Sequence, residues 1–161
     1  MKQEKAIFAA GCFWGVQYQF DRQPGVISTE VGYTGGEEEN PTYPQVKAHK
    51  THHVEAVCVV FDADVVSYEE LCKLFFEIHD PAQTDGIGPD LGPQYRSVVF
   101  YNSEEQKKVA QSVIDLLRAK GYKVLTPLLP AAKFWPAENY HQHYYDNEGG
   151  EPYCHIREKK F

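Results

Sequence analysis

The sequence predicts an α/β (α+β) fold, a two-layer sandwich in which a mixed sheet is covered by helices and followed by an irregular C-terminal tail. Three observations predict it: apolar runs with a period of two, two amphipathic stretches with a helical period behind serine caps, and the alternation of these elements along the chain. With 161 residues, 42% hydrophobic and 14% aromatic, the chain can fill one packed core. Residues 1–161 therefore read as a single domain, with 137–161 as its tail.

Residues 5–10 form a short apolar strand that runs into Gly11-Cys12-Phe13-Trp14-Gly15, after which Val16 to Phe20 can start a helix. The local picture is strand, tight turn, helix. A second β-rich stretch, 26–33, ends at Gly35-Gly36, and Glu37-Glu38-Glu39 with Asn40-Pro41 reads as a solvated loop. Residues 53–61 show the clearest strand pattern: Val57, Val59 and Phe61 share one face, and Val54, Ala56, Cys58 and Val60 the other. Glu55 breaks that pattern, on the side of Val57 and Val59.

Ser67 with Glu70 is a capping box, and Tyr68, Leu71, Cys72, Phe75 and Ile78 follow at helical spacing, which predicts a helix over 68–77. Ser103 with Gln106 repeats the signature ahead of Val109, Val113, Leu116 and Leu117, and Gly121 stands where a C-terminal cap belongs. Between these helices, residues 80–93 carry three glycines and three prolines and lead into a strand over 96–101. A loop that long in a compact domain is a place to look for function. A last strand is expected over 122–126, before Pro127, Pro130, Pro136 and a polar tail that wraps over the surface.

Sixteen basic against twenty-three acidic side chains give a formal charge of −7, which opposes attraction to phosphate backbones and anionic lipid. The expected partners therefore include neither nucleic acid nor a membrane. Met1-Lys2-Gln3-Glu4-Lys5 precedes an apolar run of only Ala6 to Ala10, too short for a signal-peptide core or a membrane span, so a cytoplasmic location is expected.

Cys12, Cys58, Cys72 and Cys154 form no Cys-x-x-Cys pair, which leaves isolated thiols, either inert or reactive. Cys12 lies in a glycine-bounded turn directly before a helix, where free amides and the helix dipole favour a thiolate. Phe13 and Trp14 can form an apolar floor for a small uncharged group. Local physics supports two readings equally, a nucleophile over that floor or a small buried hydrophobe among core aromatics.

The motif Gly11-Cys12-Phe13-Trp14-Gly15 resembles the signature of the A-type peptide methionine sulfoxide reductases. Further similar blocks follow in order: Val31-Gly32-Tyr33 with Gly35-Gly36, Pro41-Thr42-Tyr43, Thr51 and His53 with Glu55, and His79-Asp80-Pro81 with Gln83. Gly88, Asp90 and Gly92 with Gln94-Tyr95-Arg96-Ser97, then Tyr153-Cys154, extend the resemblance over roughly residues 6–155. Enzymes of this kind restore methionine from its sulfoxide.

The resemblance implies a catalytic set of Cys12 as nucleophile, Glu55 as proton donor and Cys154 as resolving thiol, with Phe13, Trp14, Tyr43, Asp90 and Tyr95 binding substrate. It also implies selectivity for the S epimer, a sulfenic acid on Cys12, recycling by thioredoxin or another dithiol, and no bound cofactor or metal. The expected substrate is free or protein-bound methionine sulfoxide, handled by a monomer. Glu55 has independent support, because an unpaired carboxylate in a strand apolar on both faces would be desolvated and shift toward the neutral acid; the alternative is a frayed strand edge with a lysine partner. Asp90 reads equally as a turn residue between Pro89 and Gly92. Cys154 follows a glycine-bearing polar stretch, Gly149-Gly150-Glu151-Pro152-Tyr153, whereas Cys58 and Cys72 fall on apolar faces.

The match fails in places. Lys47-Ala48-His49 and His52 stand where the family usually carries Cys-Ser-Gly and a glycine, and Ile87, Pro89 and Pro93 also depart from it. No further cysteine follows Cys154, so a two-cysteine relay is implied. Two rival classes remain open at this point: a metal-binding module built from His49, His52 and His53 or from His141, His143, Cys154 and His155, and a thiol peroxidase using Cys12.

Overall fold

Strand β1 (Gln3–Ala10) lies inside a six-stranded sheet whose order is β7 (Leu128–Pro130), β6 (Ser97–Tyr101), β1, β3 (Val54–Asp62), β2 (Val26–Thr34) and β8 (Trp135–Pro136). The computed structural model describes residues 2–47, 52–83, 86–87, 90–150 and 155–161. Strands β2 and β3 pair antiparallel, and β1 runs antiparallel to β3 on one side and β6 on the other. The edge strand β7 pairs parallel to β6, and β8 closes the far edge against β2, so the sheet is mixed. A two-residue ladder joins β4 (Gly86–Ile87) to β5 (Asp90–Leu91) beside the sheet.

One face of the sheet carries α1 (Phe13–Asp21), α3 (Tyr68–Glu77) and α4 (Glu104–Ala119). The reason is side-chain alternation: Ala6, Phe8 and Ala10 of β1 and Val57, Val59 and Phe61 of β3 all point into that layer, where they meet Phe13, Val16, Phe20, Leu71 and Phe75. Phe8 anchors two helices at once, stacking on Phe20 of α1 with centroids 5.2 Å apart and on Phe75 of α3 at 5.1 Å. The opposite face buries a smaller cluster of Ile7, Ala9, Val54, Ala56, Val98 and Phe100.

Both serine boxes cap as expected, Ser67 Oγ accepting from the Glu70 amide at 3.1 Å and Ser103 Oγ from the Gln106 amide at 3.2 Å. Ser103→Ala should therefore cost about 1 kcal/mol, read as a lower urea midpoint with an unchanged m-value.

The strand expected over 122–126 does not form, because α4 and the 80s loop consume its backbone groups. Gly121, at φ 96°, turns the chain so that the Tyr122 amide bonds the Leu117 carbonyl, Arg118 Nη2 takes the Val124 carbonyl, and the Leu125 amide bonds Pro81. The pairing strand starts only after Pro127, at Leu128. The tail also departs from expectation. Instead of only wrapping the surface, it contributes a 3₁₀ turn at Asn139–His141 and α5 (Tyr144–Glu148), and it buries His141 and His155 fully. Among the described residues, no helix is long and apolar enough to cross a membrane.

Candidate active site

The site forms where β1 ends and β3 begins, since their antiparallel register sets Phe8 opposite Val57. Past Ala10, Gly11 takes φ 87°, a conformation that suits glycine, and swings the chain into α1. The helix starts earlier than expected, at Phe13, which makes Cys12 its N-cap, half-buried, with no capping hydrogen bond from its side chain. Cys12 thus sits at the positive end of the helix.

Glu55 belongs to the helix-covered face of β3, opposite Tyr33 of β2, and it is 1% exposed. Its Oε1 accepts a 3.3 Å hydrogen bond from the amide of Phe13, the residue after Cys12. A frayed strand edge is therefore excluded, and carboxyl and thiol share one helix N-terminus.

Tyr43 opens α2 (Tyr43–Lys47), and its phenol interacts with Tyr95, which ends a 3₁₀ turn at Pro93–Tyr95. Burial, followed by the negative potentials of Glu55 and Cys12, pushes the Tyr43 phenol up to about 12, so it remains a hydrogen-bond donor at neutral pH.

Phe13 is buried and Trp14 half-buried, and the aromatic floor they begin is completed by the tail. Tyr144 stacks on Trp14 at 3.8 Å between centroids and 9° between planes, while His141 lies 5.2 Å from the Phe13 ring and 4.3 Å from Tyr43. Trp14 Nε1 donates to His141 Nδ1 at 2.9 Å. Because an indole only donates, Nδ1 must be the bare nitrogen, and the imidazole proton resides on Nε2. Burial lowers the His141 pKa, which keeps the ring neutral near pH 7.

Glu138 braces the same wall, Oε1 accepting from the Tyr33 hydroxyl at 2.8 Å and Oε2 from the Tyr43 amide at 3.0 Å. Burial works against its charge, but the hydrogen bonds from the Tyr43 amide, its own backbone and Tyr33 prevail and hold it below the usual carboxylate range. Gln142 fixes the tail to the sheet, bracketing the Val31 amide at 3.0 Å and the Val31 carbonyl at 2.9 Å.

The model of the family described as peptide methionine sulfoxide reductase matches residues 4–161. A peptide methionine sulfoxide reductase MsrA from Geobacter sulfurreducens is 47% identical over 91% of this chain and 93% of its own. The chain belongs to the peptide methionine sulfoxide reductase A family. The crystal structure of reduced Mxr1 from Saccharomyces cerevisiae superposes with a TM-score of 0.92 at 32% identity, covering 98% of this chain and 93% of that one. Mxr1 in complex with Trx2 aligns at a TM-score of 0.66 and 23% identity, over 98% and 91% of the two chains, and shows the shared fold.

Membership makes the protein an oxidoreductase acting on methionine sulfoxide, and the structure brings six of the eight sequence-derived positions of this reductase together: Cys12, Phe13, Trp14, Tyr43, Glu55 and Tyr95. The side chain of Asp90 and the whole of Cys154 lie outside the described residues. The other two thiols are poor nucleophiles. Burial raises the pKa of Cys58 and pushes that of Cys72 up to about 12, so both stay protonated at neutral pH. Of the histidines considered as metal ligands, His53 accepts from the Gly36 amide and donates to the Glu38 carbonyl and His141 accepts from Trp14, whereas the ligand atoms of His143, Asp21 and Asp146 lie within 4.8 Å of one another.

The sequence reading of the reductase missed Glu138, His141, Gln142 and Tyr144. The available signal was the density of aromatic and polar residues in Glu138-Asn139-Tyr140-His141-Gln142-His143-Tyr144, unusual for a solvated tail.

Proposed function

We propose that Cys12 reduces the S epimer of methionine sulfoxide, free or in proteins, by attacking sulfur while Glu55 delivers a proton to oxygen. Thiolate, sulfoxide and one proton give methionine and a Cys12 sulfenic acid. The observation that carries this reading is the hydrogen bond from the Phe13 amide to buried Glu55, which holds a carboxyl group beside the N-cap thiol. Removal from water favours the neutral acid, the form able to donate. The interacting phenols of Tyr43 and Tyr95 steady the sulfoxide oxygen, and Phe13 with the braced Trp14 receives the methyl group. Asp90 completes the polar side of the cleft.

Cys154 then condenses with the sulfenic acid, forming a disulfide and releasing water. Thioredoxin, or a dithiol in its place, reduces that disulfide; the support is the yeast relative Mxr1, which forms a complex with Trx2. The enzyme needs no bound cofactor in this scheme and works as a monomeric domain in the reducing cytoplasm, away from nucleic acid and membranes.

Incubation with racemic methionine sulfoxide and dithiothreitol, followed by chiral analysis, tests the reading. The S epimer should disappear while the R epimer remains, and equal consumption of both would sink the proposed cleft.

A further inference from the structure

His155 is 0% exposed, and its seat is made from the elements that carry Cys12. Its Nε2 donates to the carbonyl of Ala10, the last residue of β1, at 2.5 Å. Gln19 Nε2, from the second turn of α1, donates to the His155 carbonyl at 2.6 Å. The ring fills the space over Gly15, where an added Cβ would come within 2.2 Å of Nδ1. Gly15, part of the nucleophile motif, is therefore small because an imidazole occupies the place of its side chain. A leucine could fill that volume, but only a donor can also bond the carbonyl two residues before Cys12.

The chain beyond this seat is tied to α3. Arg157 reaches Glu77 Oε1 through Nε at 3.0 Å and Nη2 at 2.8 Å, and Lys160 Nζ donates to the Phe76 carbonyl at 2.6 Å and the His79 carbonyl at 2.8 Å. These bonds clasp the C-terminal segment of the chain to α3 and the residues just after it, whereas the His155 seat adjoins the Cys12 turn.

We propose that His155 is a positioning residue for disulfide formation, pinning the backbone next to Cys154 at the Cys12 end of α1. The inference rests on Cys154 being the resolving thiol. Neighbouring Cα atoms are about 3.8 Å apart, and a disulfide needs its two Cα atoms within about 7 Å, so an anchor one residue away governs how often the thiols meet. In that step the Cys154 sulfur bonds the Cys12 sulfur, the S–O bond of the sulfenic acid breaks, and hydroxyl leaves with the Cys154 proton as water.

The test is a single turnover without reductant, following methionine release and thiol loss separately in wild type, His155→Ala, His155→Gln and Cys154→Ser. In His155→Ala, methionine release should stay within about twofold of wild type while disulfide formation slows by about tenfold or more, because only proximity has been lost. His155→Gln, whose amide can still donate to the Ala10 carbonyl, should recover part of that rate. Wild-type disulfide formation in His155→Ala, or equal slowing of both steps, would overturn the role. Cys154→Ser tests the underlying reading separately: if thiols are still lost in pairs in that variant, another cysteine resolves the intermediate and Cys154 is excluded, whatever His155 does.

Discussion

Cys12→Ser should abolish methionine formation while leaving the fold intact. Cys12 is the N-cap of α1 and makes no capping hydrogen bond with its side chain, and serine is among the preferred residues at such a position. The substitution therefore keeps the helix start, and a thermal melt should show equal or slightly higher stability. What it removes is the polarisable, ionisable sulfur, since the proposed step is a thiolate attack and a serine hydroxyl remains protonated. Turnover should fall by about 10⁵-fold or more, the scale seen when a nucleophile is deleted from an otherwise intact site. Methionine release measured by chromatography with excess dithiol checks this. Residual turnover above the uncatalysed rate would mean that the oxygen leaves by another route, because Cys58 and Cys72 are held protonated by burial.

How far the sequence led depends on the range of the interactions that decide each element. The helices α3 and α4 were legible because their start signals are local: Ser67 and Ser103 each reach an amide three residues on. Strand β3 was legible because both faces are buried near its start, so its alternating apolar residues all had to be accommodated. Glu55 stood out as an interruption of that pattern, but its partner did not, since the bond to the Phe13 amide exists only once β1 and β3 are in register. The edge strand was misplaced because the Tyr122 and Leu125 amides are taken by Leu117 and Pro81, contacts invisible in the local pattern.

The tail shows the same limit more strongly. Glu138, His141 and Tyr144 lie in a stretch with no strong apolar period, and each is placed by a residue more than ninety positions away: Tyr33 and Tyr43 for Glu138, and Trp14 for the other two. Polar composition suggested solvent; the tertiary partners made the segment one wall of the site. The resemblance proposed a nucleophile and its acid, whereas the brace behind Trp14 emerged only from the fold.

Glu55→Gln should leave that wall in place and remove only the proton. Glutamine keeps the volume of glutamate and an oxygen that can accept from the Phe13 amide, so the turn that carries Cys12 and the Tyr43 and Tyr95 pair should persist. The first-turnover rate of methionine formation should fall by about 10²- to 10⁴-fold, the usual contribution of a positioned acid, with little change in KM. The residual rate should rise as pH falls, because solvent must now supply the proton that the carboxyl group gave, until loss of the Cys12 thiolate opposes it. Hydrogen peroxide supplies the control: its reduction by Cys12 places no demand on an acid aimed at a sulfoxide oxygen, so the variant should lose sulfoxide turnover far more than any peroxide turnover. An unchanged first-turnover rate on methionine sulfoxide would show that the buried carboxyl group serves the helix N-terminus alone.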